Sequence, residues 1–133
     1  NIPVVFNATY DLLSHASAAV VASGTATLEA ALFDVPQVVV YKGHPVSISI
    51  ARLVVKIRFI SLVNLIMDKL VVKELIQRDC TAEKIAEETD KLLNDKAYRE
   101  KMLGDYDKLD EKMGTPGASA KTAKFIIGYA IKK

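Results

Sequence analysis

The stretch Ala22-Ser23-Gly24-Thr25-Ala26-Thr27-Leu28-Glu29-Ala30-Ala31-Leu32 decides how this chain is read. Two short apolar runs flank it, Ala18-Ala19-Val20-Val21 before and Val38-Val39-Val40-Tyr41 after, and both read as buried strands. A small, Gly-bearing loop therefore leaves a strand and opens straight into a helix. Such a junction turns unpaired backbone N–H groups and the positive end of a helix dipole outward, which suits a phosphate. Glu29 adds what a bare phosphate loop lacks. Thr25 and Glu29, four apart, share one flank of the helix, one pitch of about 5.4 Å from its opening. A carboxylate there is not meant for phosphate and suits the hydroxyls of a ribose. Loop plus acid read as a sugar-nucleotide site.

The same residues admit a plainer reading, with Gly24 serving a tight turn and Glu29 a solvated helix glutamate. Strand–Gly loop–helix units are common in α/β proteins that bind no phosphate. A capping box does not explain Glu29, because the residue three before it is Ala26, which has no capping oxygen. The core stripe of this helix is expected at Leu28, Ala31 and Leu32, with Glu29 on its shoulder.

Outward from this unit, Ile2–Phe6 reads as a strand and Thr9–His15 as a short helix with Leu12 and Leu13 inward. Strand 18–22, the Gly loop, helix 25–33, a turn at Asp34-Val35-Pro36 and strand 37–41 follow. These strands are continuous apolar runs, the mark of a parallel sheet covered on both faces. Residues 46–58 read as a strongly apolar helix. A short extended piece, Phe59-Ile60-Ser61-Leu62, ends at Val63-Asn64. Val71–Gln77 reads as a helix, and Thr81 caps another over Ala82–Leu93 with Ile85 and Leu92 inward. Ala97–Met113 is charge-rich and amphipathic. Gly114-Thr115-Pro116-Gly117 breaks the chain before a last helix, Ala118–Lys132. The order βαβαβαβ followed by helices predicts a doubly wound, mostly parallel α/β sheet flanked by helices, with a helical C-terminal tail.

Composition narrows the classes. The 133 residues suffice for one core, half are apolar and about a quarter charged. A net charge of +2 with interspersed signs gives no nucleic-acid groove. The single cysteine, Cys80, excludes a disulfide framework and fits a reducing compartment. His15 and His44 have no cysteine or acid at metal-ligand spacing, so no metal site is expected. No signal peptide or membrane-spanning run is legible. The chain opens on Asn1-Ile2-Pro3 without an initiator Met and is read as an excised domain. Arg52, Lys56 and Arg58 beside the apolar helix 46–58 invite a membrane-surface reading. Apolar residues on nearly every turn favour burial against the sheet instead. Lys121 and Lys124 on the last helix are read as a solvated face.

Taken together, the motifs resemble the C-terminal, nucleotide-binding domain of the bacterial lipid-A-disaccharide synthases, glycosyltransferases of the GT-B fold. The matching pieces are residues 22–32 and Val35-Pro36-Gln37-Val38-Val39-Val40-Tyr41-Lys42, then Ile60-Ser61-Leu62-Val63-Asn64-Leu65, Val72-Lys73-Glu74-Leu75-Ile76-Gln77 and Gly117-Ala118-Ser119. They occur in family order over most of the chain. The chain departs from the family pattern at Val63, where Pro is frequent, and at Ile66-Met67-Asp68-Lys69, where small residues and Gly are usual.

The resemblance implies the donor-binding half of an enzyme joining UDP-2,3-diacylglucosamine to 2,3-diacylglucosamine 1-phosphate, releasing UDP and making a β-1,6 disaccharide, with no cofactor. It implies that Ser23, Gly24 and Thr25 approach the UDP diphosphate, that Glu29 holds the ribose, and that Asn64 lies by the donor. An inverting transfer needs the charge of the leaving diphosphate stabilised, and helix N–H groups serve where no metal is present. The catalytic base belongs to an N-terminal acceptor domain absent from this chain, so residues 1–133 alone are expected to be inactive. Residues 1–113 are read as the UDP-sugar-binding domain and 114–133 as its crossing helix, left to exposure or a swapped homodimer without the partner domain. The family's acylated substrates imply cytoplasmic placement, peripheral at the inner face of the bacterial inner membrane. Two rivals remain: a relative using UDP-N-acetylglucosamine (a lipid-II-forming transferase or a 2-epimerase), and a non-catalytic α/β interaction module with a structural Gly loop.

Overall fold

The computed structural model describes residues 2–43, 58–114 and 117–131. Three parallel strands, β1 (Ala19–Ala22), β2 (Gln37–Tyr41) and β3 (Lys73–Ile76), lie in the order β1-β2-β3. Val20 pairs with Val38 and Val38 with Lys73. The β1–β2 ladder continues past both ends of β1, with Ala19 N–H donating to the Pro36 carbonyl at 2.9 Å and Ser23 N–H to that of Val40 at 3.0 Å. Adjacent residues of a strand face opposite sides of the sheet. Val38 and Val39 are both fully buried, so β2 is covered on both faces. The expected α/β architecture with a parallel sheet is present.

Helices α1 (Thr9–His15), α2 (Ala26–Leu32), α3 (Leu62–Met67), α4 (Ala82–Asn94), α5 (Lys96–Met113) and α6 (Ala118–Ile131) surround and follow the sheet. Local chemistry fixes the longer ones. Thr81 caps α4 by accepting from Lys84 N–H at 3.3 Å, and Asp95 caps α5 by accepting from Tyr98 N–H at 2.9 Å. Gly114 and Gly117, at φ of 75° and 122°, take left-handed backbone between α5 and α6. Leu92, Met102 and Leu109 of α4 and α5 join Val38, Val39, Val63 and Val72 in the core.

Three expected elements are corrected. Ile2–Phe6 forms no strand and stays exposed; Pro3 lacks a donor, and Asn7, at φ 55°, turns the chain into α1. The extended piece at 59–62 is a bend leading into α3, because the Ser61 hydroxyl caps that helix by accepting from Asn64 N–H at 3.2 Å. Val71–Gln77 is no helix. It contains β3, followed by a 3-10 turn at Gln77–Asp79. A short apolar run fits either state by periodicity alone, and pairing with β2 decides for the strand.

Two smaller expectations shift. In α1, Leu12 is exposed and Leu13 only half-buried, while Tyr10 stacks on Phe33 with ring centroids 5.5 Å apart. In α2 the buried positions are Thr27, Ala30 and Ala31, with Leu28 half-buried and Leu32 exposed. The small face lets α2 approach closely, and the Thr27 hydroxyl satisfies itself on the Gly24 carbonyl at 2.8 Å. The helix expected over 46–58 lies, apart from Arg58, outside the described residues.

Helix α5 clasps the rest. The Tyr98 hydroxyl donates to the Glu88 carboxylate of α4, and burial together with that charge holds its pKa well above the phenolic value. Gln37 donates to the Thr27 carbonyl at 2.8 Å and to the Tyr106 hydroxyl at 3.3 Å. Lys112 donates to the Ile66 carbonyl at 3.2 Å. Lys69, just after α3, meets Asp105 at 2.6 Å, with Lys108 at 3.4 Å.

Burial pushes the Asp105 carboxyl up, but the two lysines outweigh it and hold its pKa below the usual value of 3.8. A carboxyl whose pKa is lower folded than unfolded contributes stability above its unfolded pKa and loses it as pH falls through the folded one. The Lys69–Asp105 clasp is therefore fully present at neutral pH and fades below about pH 4. Asp105→Asn is expected to cost about 1 kcal/mol at pH 7, Lys69 being half exposed. Urea melts of both proteins against pH are expected to converge in acid; a constant gap down to pH 2 would remove the charge pair as its cause.

Candidate functional site

In parallel α/β sheets, loops at the carboxyl ends of the strands make the binding sites. Here those ends are Ser23 after β1, Lys42-Gly43 after β2 and Gln77 after β3. Ser23 has both its donors committed within the chain: its N–H to the Val40 carbonyl and its hydroxyl to the Ile60 carbonyl at 3.0 Å. Gly24 follows at φ 158°, on the edge of the region that favours glycine, and a Cβ there would meet no atom within 4 Å. Thr25 takes helical backbone, makes no side-chain cap and is exposed.

What the loop leaves open follows from its bonds. The Gly24 carbonyl accepts from Thr27 N–H at 3.2 Å, and the Thr25 carbonyl from Leu28 and Glu29 N–H at 2.9 and 3.1 Å. The N–H groups of Gly24, Thr25 and Ala26 have no acceptor among the described residues. Nor does the half-buried Glu29 carboxylate have a hydrogen bond or ion pair among them. Three consecutive donors and an unpaired acid thus lie on one exposed junction. Donors there suit an anion, and the acid suits hydroxyl groups.

Asn64 is fully buried, one turn into α3. Its oxygen accepts from Val71 and Val72 N–H at 2.8 and 2.9 Å. Its NH₂ donates to the Val72 carbonyl and to the Glu74 carboxylate, both at 2.8 Å. The amide thereby makes its full complement of four bonds inside the chain. Asn64 thus braces α3 against the segment that enters β3.

Two residues to which sequence reasoning gave no role complete the arrangement. Glu74 Oε1 accepts from Ser61 N–H at 3.0 Å, the Ser61 hydroxyl at 2.9 Å and Asn64, while Oε2 accepts from Ile60 N–H at 3.0 Å. Gln77 donates to the Gly43 carbonyl at 3.0 Å and accepts from Gly43 N–H at 2.9 Å, tying the ends of β2 and β3 together. Gln77 itself is left-handed at φ 53°. The signal was available only in a strand reading. There the period of two puts Glu74 on the face of fully buried Val72, where an acid needs donors.

Among the described residues no three His, Cys, Asp or Glu side chains converge, and no helix is long and apolar enough to cross a membrane. A parallel sheet with an open glycine loop at its carboxyl edge defines a Rossmann-like α/β half. The chain belongs to the lipid-A-disaccharide synthase family, for the family model described as Lipid-A-disaccharide synthetase matches residues 2–125. The Lipid-A-disaccharide synthase of Acidobacterium capsulatum is 48% identical over 108 residues, covering 81% of this chain and 27% of that protein. That of Anaeromyxobacter dehalogenans is 40% identical over 120 residues, covering 90% and 31%. That of Geobacter sulfurreducens is 35% identical over 127 residues, covering 96% and 33%. The chain thus spans roughly a third of the length of these relatives.

Asn64→Ala would orphan the N–H and the carbonyl of Val72 and leave the Val71 N–H with the Lys69 carbonyl alone, at 3.0 Å. At about 1–3 kcal/mol per buried unpaired group, a loss of about 3–5 kcal/mol is expected, a large part of a domain's total. Chemical denaturation measures it, and a loss under 1 kcal/mol would show that the amide bonds are replaceable by water.

Proposed function

We propose that this chain is the donor-binding half of a glycosyltransferase that forms the β-1,6-linked lipid A disaccharide. The donor is UDP-2,3-diacylglucosamine and the acceptor 2,3-diacylglucosamine 1-phosphate. The observation that carries the reading is the pairing of three unengaged N–H groups at Gly24, Thr25 and Ala26 with the unpaired Glu29 carboxylate at the carboxyl edge of the sheet. Family membership supplies the chemistry. In the transfer, the acceptor 6-hydroxyl oxygen bonds to the anomeric carbon as the bond from that carbon to the diphosphate oxygen breaks. UDP leaves with the electron pair, and the hydroxyl proton passes to a base.

In this reading the free N–H groups and the Thr25 hydroxyl take the growing charge of the departing diphosphate, which preorganised donors stabilise without reorganising. Glu29 accepts from the ribose hydroxyls. Ser23 and Asn64 enter as the frame that holds the loop. The base belongs to the N-terminal domain of the full protein, so residues 1–133 alone transfer no sugar. Residues 114–133 are the segment of this half that crosses to the partner domain, with α6 as its helix. Exposed Phe125, Ile126, Ile127 and Tyr129 on α6 make the partner domain or a second copy its natural cover. The acylated substrates place the full enzyme at the inner face of the bacterial inner membrane as a peripheral protein.

Calorimetric titration with UDP and with inorganic pyrophosphate tests the reading. Glu29→Ala is expected to weaken UDP ten- to a hundredfold, about 1.5–3 kcal/mol for bonds to a charged group, and to leave pyrophosphate within about twofold. Equal loss for both ligands would take the ribose from Glu29. A wild-type protein indifferent to UDP would end the donor-half reading.

A further inference from the structure

The Glu74 carboxylate has no role in the reading above, yet four donors converge on it: the N–H groups of Ile60 and Ser61, the Ser61 hydroxyl and the Asn64 amide. Two of these contacts bear on the loop. The peptide unit joining Ile60 to Ser61 gives its N–H to Glu74 at 3.0 Å, and its carbonyl, on the opposite side of the same plane, accepts the Ser23 hydroxyl at 3.0 Å. A peptide unit is rigid and planar, so fixing one side fixes the direction of the other. Residues 58–61 belong to no strand or helix, and no sheet ladder holds this plane.

From this relay we infer that Glu74 is a positioning residue for the donor diphosphate, acting through the Ile60–Ser61 peptide and the Ser23 hydroxyl. The inference rests on the donor-half reading and adds a residue to it. With its hydroxyl proton drawn to Ile60 and its N–H to Val40, Ser23 is held at both ends, directly before the three N–H groups that have no acceptor among the described residues. Released from Ile60, the Ser23 hydroxyl is free to turn, and the loop that carries the three donors loses one of its two ties. Misplacement of binding groups by an ångström is enough to weaken them severely.

The arrangement singles out an informative variant. In Glu74→Gln the acceptor of Ser61 N–H loses its charge, which roughly halves the strength of such a bond, and the NH₂ cannot accept from Ile60 N–H, so the Ile60–Ser61 plane is held less firmly. UDP and uridine are titrated calorimetrically against the wild type, Glu74→Gln, Ser23→Ala and the double variant. Each single change is expected to weaken UDP about tenfold, one hydrogen bond to a charged group being worth about that. Uridine, which lacks the phosphates, is expected to keep its affinity. The double variant is expected to lose no more than the worse single one, because both cut the same relay. Additive losses, equal losses for uridine, or unchanged UDP affinity in folded Glu74→Gln would each overturn the positioning role while leaving the donor-half reading standing. Absence of UDP binding by the wild type would overturn both. Should Glu74→Gln fail to fold, Glu74→Asp retains the charge but shortens its reach, and the same outcomes decide.

Discussion

A buried amide against a half-buried carboxylate, Asn64 beside Glu74, is the joint on which this structure turns. Between residues 58 and 72 the chain has no ladder partner beyond the short helix α3, so its buried backbone groups must find bonds elsewhere. Asn64 takes those of Val71 and Val72, and Glu74 takes those of Ile60 and Ser61. The joint fixes where α3 lies against β3. Val63 beside it is fully buried in the core with Val39 and Val72, so apolar and polar contacts agree on one position. That position sets the Ile60 carbonyl, and through it the glycine loop.

The carboxyl edge of the sheet divides into bound and unbound groups. Ser23 N–H extends the β1–β2 ladder, while the Gln77 side chain ties the ends of β2 and β3 through Gly43 by hydrogen bonds that no ladder requires. Gly24, Thr25 and Ala26 lie exposed between these anchors, so water satisfies their donors at little cost until a ligand replaces it. A frame held by its own bonds with donors left to solvent is a preorganised arrangement, since the ordering is done during folding rather than during binding. Gln77 shows the strain this entails, a non-glycine residue in left-handed backbone whose side chain closes the edge.

Sequence carried the unit β1–loop–α2–β2 because its strands read as unbroken apolar runs between turn residues, although only β2 is covered on both faces and Val20 and Ala22 of β1 are exposed. Thr81 and Asp95 announced their helices by capping chemistry that acts within three residues. Ser23, Gly24, Thr25 and Glu29 were legible as a local pattern. The roles of Glu74 and Gln77 were not, since each acts on segments 10 or more residues away. Residues 71–77 went wrong for the same reason. A four-residue strand is made by its neighbour, and nothing within Lys73-Glu74-Leu75-Ile76 favours extension over helix strongly enough to declare it. Ile2–Phe6 is the converse, an apolar run whose local signal for a strand meets no partner ladder.

The charges around the loop carry the last step. A seven-residue helix such as α2 has a modest dipole, so in the proposed reading direct N–H bonds supply most of the attraction for a diphosphate. Two acids, Glu29 and Glu74, then stand against an anion in the same region, and their different surroundings decide what each does. Glu74 accepts from four donors, which draw its charge inward and leave it little field to repel a neighbour. Glu29 has no such partners among the described residues, and its acid disfavours phosphate close by. A bare phosphate gains nothing from Glu29. A ligand whose hydroxyls reach it from a diphosphate held at residues 24–26 gains hydrogen bonds to a charged acceptor. In the proposed reading the arrangement therefore selects for a nucleoside diphosphate over free phosphate by opposition as much as by attraction.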